Sequence, residues 1–290
     1  MNKSRVVLGL ILTVVLAGVL AWYFWPQSPP PAPAPTPMPV AQPAGPMTSE
    51  PLPPTPVEPI IQHPVPVIET PSATPSKPLP GLEASDERLK EELVTWLGRK
   101  KVQQFLQLDG FVRRVVVTVD NLGREHAAPS MWPVQTTPGR FTTLKQGDKE
   151  FISPDNAQRY NALVQFIEVV DARQGVQLYV TLYPLFQQAY QELGYPKGYF
   201  NDRLVAVIDK LLATPVHEAP LEVSLVDVKG PIPSERPWLR YEFADEALQS
   251  LAAGQKMLLR SGPVNHRRLR AKLLEIRRLV TKAPLPAIPQ

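Results

Sequence analysis

Twenty-one of the chain's 36 prolines fall between Pro26 and Pro80, a stretch of 55 positions. Proline lacks a backbone N–H and cannot complete helix or sheet ladders, so this stretch is a poor candidate for a packed domain. The 290 residues therefore divide into an extended N-terminal part and one domain of about 200 residues. The composition of 26–80 predicts a disordered Pro-rich linker that samples polyproline II, with a contour near 170 Å at about 3.1 Å per residue. Its expected role is a spacer. The competing reading is a Pro-rich ligand for a partner domain.

Ahead of the linker, Val6–Trp25 reads VVLGLILTVVLAGVLAWYFW, without a charge or a proline. A helix of that length spans roughly 30 Å, one bilayer crossing. A cleaved signal peptide is the rival reading, because Lys3 and Arg5 form a basic start. The apolar run is too long for that, and Trp22, Tyr23, Phe24 and Trp25 stand where a small-residue cleavage site belongs. The expectation is a single-pass inner-membrane anchor. Residues 1–5 form a cytoplasmic stub, the lipid bilayer is met through Val6–Trp25, and Trp22, Tyr23 and Trp25 lie at the far interface. Residues 81–282 then form a periplasmic domain and 283–290 a disordered tail. The chain has no cysteine, which excludes disulfide frameworks, zinc fingers and thiol catalysis.

Within the domain, helical spacing dominates. Ser85, followed by Asp86 and Glu87, reads as an N-cap for a helix that buries Leu89, Leu93, Trp96 and Leu97 and stops at Gly98. A short helix around Val102, Phe105 and Leu106 follows. The valine-rich run Phe111–Leu122 resembles a strand by propensity, but Phe111, Val112, Val115, Val116, Val119 and Leu122 share one helical face, so a helix capped by Asp109 is expected. Ser153-Pro154 opens a helix that buries Tyr160, Leu163, Val164, Ile167 and Val170, with Asp155 and Arg159 as an i,i+4 pair. Val176–Leu193 is one helix kinked at Pro184, and Asn201 caps the next, which runs to Pro215. Leu221, Val223 and Leu225 alternate with polar residues, as do Leu239, Tyr241 and Phe243. They are expected to pair as antiparallel strands joined by an extended loop, 229–237. Phe141–Ile152 forms a second small hairpin. A helix over Asp245–Ala253 precedes Gly254, and a last helix carries Leu269, Leu273, Ile276 and Val280. The predicted fold class is mainly α (α+β), a helical domain with a small antiparallel strand pair.

No glycine-rich phosphate loop, GxSxG or HExxH motif occurs, so no signature of phosphoryl transfer, esterase or zinc-protease chemistry is present. His63, His126, His217 and His266 are too far apart to suggest a metal site. Asp120, Glu168, Asp171, Asp202 and Glu242 are the acids a wall-cleaving hydrolase would draw on, but their spacing pairs none of them. The sequence thus points to no catalytic residue, metal or cofactor. Charge is more informative: Lys256–Lys282 holds nine Lys and Arg against Glu275 alone, whereas Gly81–Ala253 holds nineteen against twenty-three acids. On the last helix, Arg267, Arg270, Arg277 and Arg278 are expected to point away from the core face. They are either a solvated face balancing an acidic body or a contact for anionic headgroups, an anionic wall polymer or an acidic partner. Nucleic acid does not suit the expected compartment, and oligomeric state is left open.

The strings VDNL (Val119–Leu122), NAQRYNALV (Asn156–Val164), YPLFQQAYQELGYPKGYFNDR (Tyr183–Arg203), LLATP (Leu211–Pro215) and GQKMLLRSGPVN (Gly254–Asn265) resemble the Gram-negative envelope family known as domain of unknown function number 3014. The resemblance covers roughly Leu79–Leu279, and a membrane span followed by a Pro-rich linker is similar to that family's layout. It implies no activity. It does imply that Asp120, Asn121, Arg159, Tyr160, Tyr195, Pro196, Asn201, Asp202, Arg203, Lys256, Arg260 and Asn265 belong to a shared pattern. Two readings of these residues stand side by side. They are caps, stops and buried ion-pair partners, or they line a cleft around Arg159, Arg203 and Arg260. The functional expectation is a membrane-anchored periplasmic binding or scaffolding module, possible partners being an envelope protein or wall polymer; the alternative is a wall-active hydrolase with paired carboxylates.

Overall fold

The computed structural model describes residues 60–66, 79–226 and 236–281. The expected membrane span, the loop 229–237 up to residue 235, most of the linker and the tail lie outside the described residues. Among the described residues, no helix is long and apolar enough to cross a membrane.

The domain is mainly helical with two small antiparallel strand pairs. Helices α1 (Ser85–Leu97), α2 (Arg99–Phe105) and α3 (Phe111–Leu122) come first. The hairpin β1 (Thr143–Gln146) and β2 (Lys149–Ile152) leads into α4 (Asp155–Val169), α5 (Ala172–Thr181), α6 (Tyr183–Glu192) and α7 (Phe200–Leu212). Strands β3 (Val223–Leu225) and β4 (Tyr241–Phe243), a short α8 (Glu246–Gln249), α9 (Ala253–Arg260) and α10 (Pro263–Val280) complete the order. In the first pair Thr143 stands opposite Ile152, and in the second Val223 stands opposite Phe243. The Ile152 N–H donates to the Leu221 carbonyl at 2.9 Å, so the two hairpins meet edge to edge.

The valine-rich segment is the helix α3, as its spacing requires. Val112 and Val116 are fully buried among Leu89, Leu93, Val102, Leu185 and Phe186, which ties α1, α2, α3 and α6 into one core. Burying that many apolar side chains, at about 1.5–3 kcal/mol each, outweighs the few tenths of a kcal/mol by which valine disfavours a helix. A second apolar layer packs α7 against α10 through Val205, Ile208, Leu212 and Val280. A third joins Val207 and Leu211 to Leu258 of α9.

Several local expectations are corrected. Ser85 lies inside the first turn of α1, its Oγ donating to the Leu82 carbonyl at 2.7 Å. Asp109 does not cap α3: Gly110 holds the left-handed cap position, and its N–H and that of Phe111 donate to the carboxylate of Asp86, at 2.6 and 3.2 Å. Asp155 and Arg159 do not pair; Asp155 accepts from Gln158 while Arg159 donates to the carbonyls of Pro138 and Gly139. The 176–193 helix is broken rather than kinked. α5 ends at Thr181 and Leu182 is a junction, with Pro184 in the first turn of α6, where its missing N–H costs nothing. Gly254 does not stop a helix but lies within α9, pressed against the Leu122 carbonyl and Leu211.

Candidate functional site

Two polar clusters meet at the start of α7. The first is centred on Asp120, a buried carboxylate on the last turn of α3. Arg203 of α7 donates through Nε to Asp120 Oδ1 at 2.9 Å and through Nη2 to the Asp120 carbonyl at 2.7 Å. Arg124 pairs with Oδ2 at 2.7 Å and also donates to the Tyr195 hydroxyl, which itself donates to Asp120 at 3.2 Å. The Tyr195 ring stacks on Tyr190 at 4.5 Å. Asp120 holds the Arg124 guanidinium above its ordinary value through charge attraction. With two guanidiniums and a phenol already on one carboxylate, the cluster satisfies its buried acid by locking α3 to α7 and to the loop after α6.

The second cluster is on the opposite side of the same turn. The orphan donors of α7 are satisfied from α6, since the Phe200 N–H donates to Gln187 Oε1 at 2.9 Å and the Asn201 N–H to the Tyr183 hydroxyl at 3.3 Å. With capping supplied from outside, the side chains of the first turn are free for other partners. Asn201, 0% exposed, accepts from the Tyr179 hydroxyl at 3.0 Å and donates to the carbonyls of Val280 and His63 at 3.1 and 2.8 Å. Asp202 accepts the N–H groups of Gln62 and His63 at 3.1 and 2.6 Å. The Val65 N–H donates to the Tyr199 hydroxyl at 3.0 Å. Residues 60–66 of the Pro-rich linker are therefore bound to the domain. The spacer expectation is corrected for these seven residues. Burial drives the Tyr179 and Tyr183 hydroxyls well above the usual phenol range, so both stay protonated and serve as neutral donors.

The remaining candidates are spread across the fold. Asn121 closes the end of α3, its carbonyl accepting from the Arg124 N–H at 3.0 Å. Arg159, besides its two carbonyl partners, approaches Asn156 Oδ1 at 3.4 Å and lies over the Tyr160 ring. Arg260 donates to the Tyr241 carbonyl at 2.7 Å and stacks over Phe243, and burial pulls its guanidinium below the ordinary value. Arg159 and Arg260 lie in the neighbourhood of Tyr160, whereas Arg203 is committed to Asp120; the expected cleft around all three is replaced by separate attachments. Buried Lys256 donates to the Gln249 carbonyl at 3.0 Å. Asn265, also buried, donates to the Ala157 carbonyl at 2.8 Å and to Asn161 Oδ1 at 3.1 Å, fastening α10 to α4.

The arginines of α10 do not form one outward face. Arg277 is 3% exposed and pairs with Asp209 of α7 through two nitrogens. Arg270 donates to the Leu212 carbonyl and Arg267 pairs with Glu218. Arg278 is exposed. The acids considered for hydrolysis are also separated: Glu168 pairs with Arg268, Asp171 caps α5, and Glu242 lies exposed on β4. An open cleft of about 530 Å³ beside α1 and α2 is lined by Glu87, Lys90, Val94, Arg99 and Gln103, and none of the candidate residues borders it. Among the described residues, no group of three His, Asp or Glu side chains is placed to hold a metal.

Arg124, Tyr199 and the bound linker segment were not singled out from sequence. Arg124 is four residues beyond Asp120, a helical pairing distance that could have marked it; the linker contacts span about 140 positions and left no local signal.

These features define a mainly helical domain, carrying two small hairpins, whose buried polar residues join helices to one another and to the preceding linker. The chain belongs to the family described as Protein of unknown function (DUF3014), whose pattern matches residues 111–277, more than half of its length. α1 and α2 precede the matched region, which is narrower than the resemblance from Leu79 to Leu279. No curated protein and no solved structure matches the chain.

Proposed function

We propose that the protein is a membrane-anchored binding or scaffolding module of the cell envelope, held to the inner membrane by Val6–Trp25 with its domain in the periplasm. The observation that carries the binding half of this reading is the grip of the α7 start on the main chain of a bent segment, Ile60–Pro66, through Asp202, Asn201 and Tyr199. A site that already holds a polypeptide by its backbone suits a module that gathers other envelope proteins. The uncharged run after Lys3 and Arg5 supports the anchor. The α10 arginines contribute less to a polymer contact than their number suggests, because Arg277 and Arg270 have partners inside the domain.

The test is incubation of the purified chain with wall sacculi and with detergent-solubilised envelope. Capture of envelope proteins without release of soluble sugar is the expected result. Release of muropeptides would move the protein to the wall-active hydrolases.

A further inference from the structure

The contacts that hold residues 60–66 follow a rule that side-chain identity does not set. Three N–H groups are used, those of Gln62, His63 and Val65, together with the carbonyl of His63. The intervening and final positions, Pro64 and Pro66, have no N–H to offer. Ile60 is 83% exposed and Ile61 is 49% exposed, so the most apolar side chains of the segment contribute little burial. The site thus takes two consecutive donors at a bend over Gln62 and His63, then a third donor two residues on, while exposed Pro64 between them makes no demand on it. One carboxylate takes the two consecutive N–H groups, and the fully buried Asn201 takes the next carbonyl, an arrangement that fixes chain direction as well as register.

Resting on the reading of the domain as a binding module, we propose that the site formed by Tyr199, Asn201 and Asp202 recognises a bent, proline-containing polypeptide segment by its main chain, and that Ile60–Pro66 is its resident occupant in cis. The segment rejoins the described domain after twelve residues, 67–78. A linker that short presents its ligand at a local concentration on the order of millimolar. A free peptide of the same pattern must displace it, so the site opens only to a partner that binds more strongly or is itself held nearby.

The test uses the full chain in detergent. Hydrogen exchange should find the amides of Gln62, His63 and Val65 protected, and Asp202→Ala should release those of Gln62 and His63 while the helical amides of α3 and α6 keep their protection. The variant Gln62→Pro/His63→Pro removes two donors from the linker and leaves the domain untouched. It should bind a fluorescent peptide of residues 57–69 at least tenfold more tightly than the unaltered chain, and adding Asp202→Ala should abolish that binding. Unprotected linker amides in the unaltered chain would overturn the cis contact. Equal peptide binding by the unaltered and the double-proline chains, or none by either, would overturn the recognition site. Failure of the binding-module reading has its own signature, muropeptide release, which none of these measurements reports.

Discussion

Gly254 occupies a helix interior, where alanine is ordinarily better by about 1 kcal/mol. A Cβ there would stand 2.6 Å from Leu211 Cδ2 and 3.1 Å from the Leu122 carbonyl. Because the second neighbour is backbone, α9 would have to move away from α3, and overpacking of this kind costs about 1–3 kcal/mol. Gly254→Ala should therefore lower the urea midpoint, with a net loss of about 1–2 kcal/mol. Asn201→Ala strands the Tyr179 hydroxyl and the Val280 carbonyl as well as releasing His63, and should cost about 2–4 kcal/mol in the same measurement. Asn201 also illustrates what single residues conceal. An Asn at a helix start reads as a cap, as do Ser85 and Asp109, yet the capping atoms of α7 and α3 come from Gln187, Tyr183 and Asp86, on other elements. Local sequence locates the helix start within a residue or two; the group that satisfies its free N–H groups is chosen by tertiary packing.

At the scale of elements, α10 separates two arginines that sequence alone makes equivalent. Arg277→Ala leaves Asp209 without its guanidinium beside the α7–α10 layer and should cost about 2–3 kcal/mol, whereas Arg278→Ala should stay within about 0.5 kcal/mol. Thermal melts of the two single variants check this directly. His266, one turn into the same helix, is buried, and desolvation followed by the charges of Arg270 and Arg267 lowers its folded-state value. The unfolded chain then binds the proton more readily, so this residue's contribution is complete above the ordinary histidine value of about 6.5 and is lost as pH falls through it. Between about pH 7.5 and 5.5 the melting temperature should fall, and His266→Gln should flatten that slope. Periodicity identified α3 despite its valines because six spaced apolar positions report burial, which propensity does not. It placed Arg277 outside because ideal 100° steps carry no information about the neighbouring Asp209. The junction at Leu182 was only half visible: Pro184 marks an interruption, while whether the chain bends or restarts depends on the packing of α6 against α3.

For the whole molecule, the division into a proline-dense segment and a helical domain is plain in composition, because proline spacing acts without tertiary context. The attachment of 60–66 back onto the domain is not, since its partners lie at 199–202 and its own side chains are those of an ordinary linker. The proposed topology has a simple check. Alkaline phosphatase fused to the C-terminus should be active and a fluorescent protein that matures only in the cytoplasm should be dark; the opposite pair would reverse the orientation. On the proposed anchor, the bound segment would set the radius of action. From Pro26 to the first held residue there are 34 intervening positions up to residue 59, against 53 up to residue 78 when the hold is released. At no more than about 3.3–3.6 Å per residue, the leash shortens from roughly 180 Å to roughly 115 Å. The volume within reach scales with the cube of that length, a difference of almost fourfold. With the anchor proposed above, three hydrogen-bonded amides would confine the domain to the layer nearest the membrane, and their release would let it patrol the depth beyond.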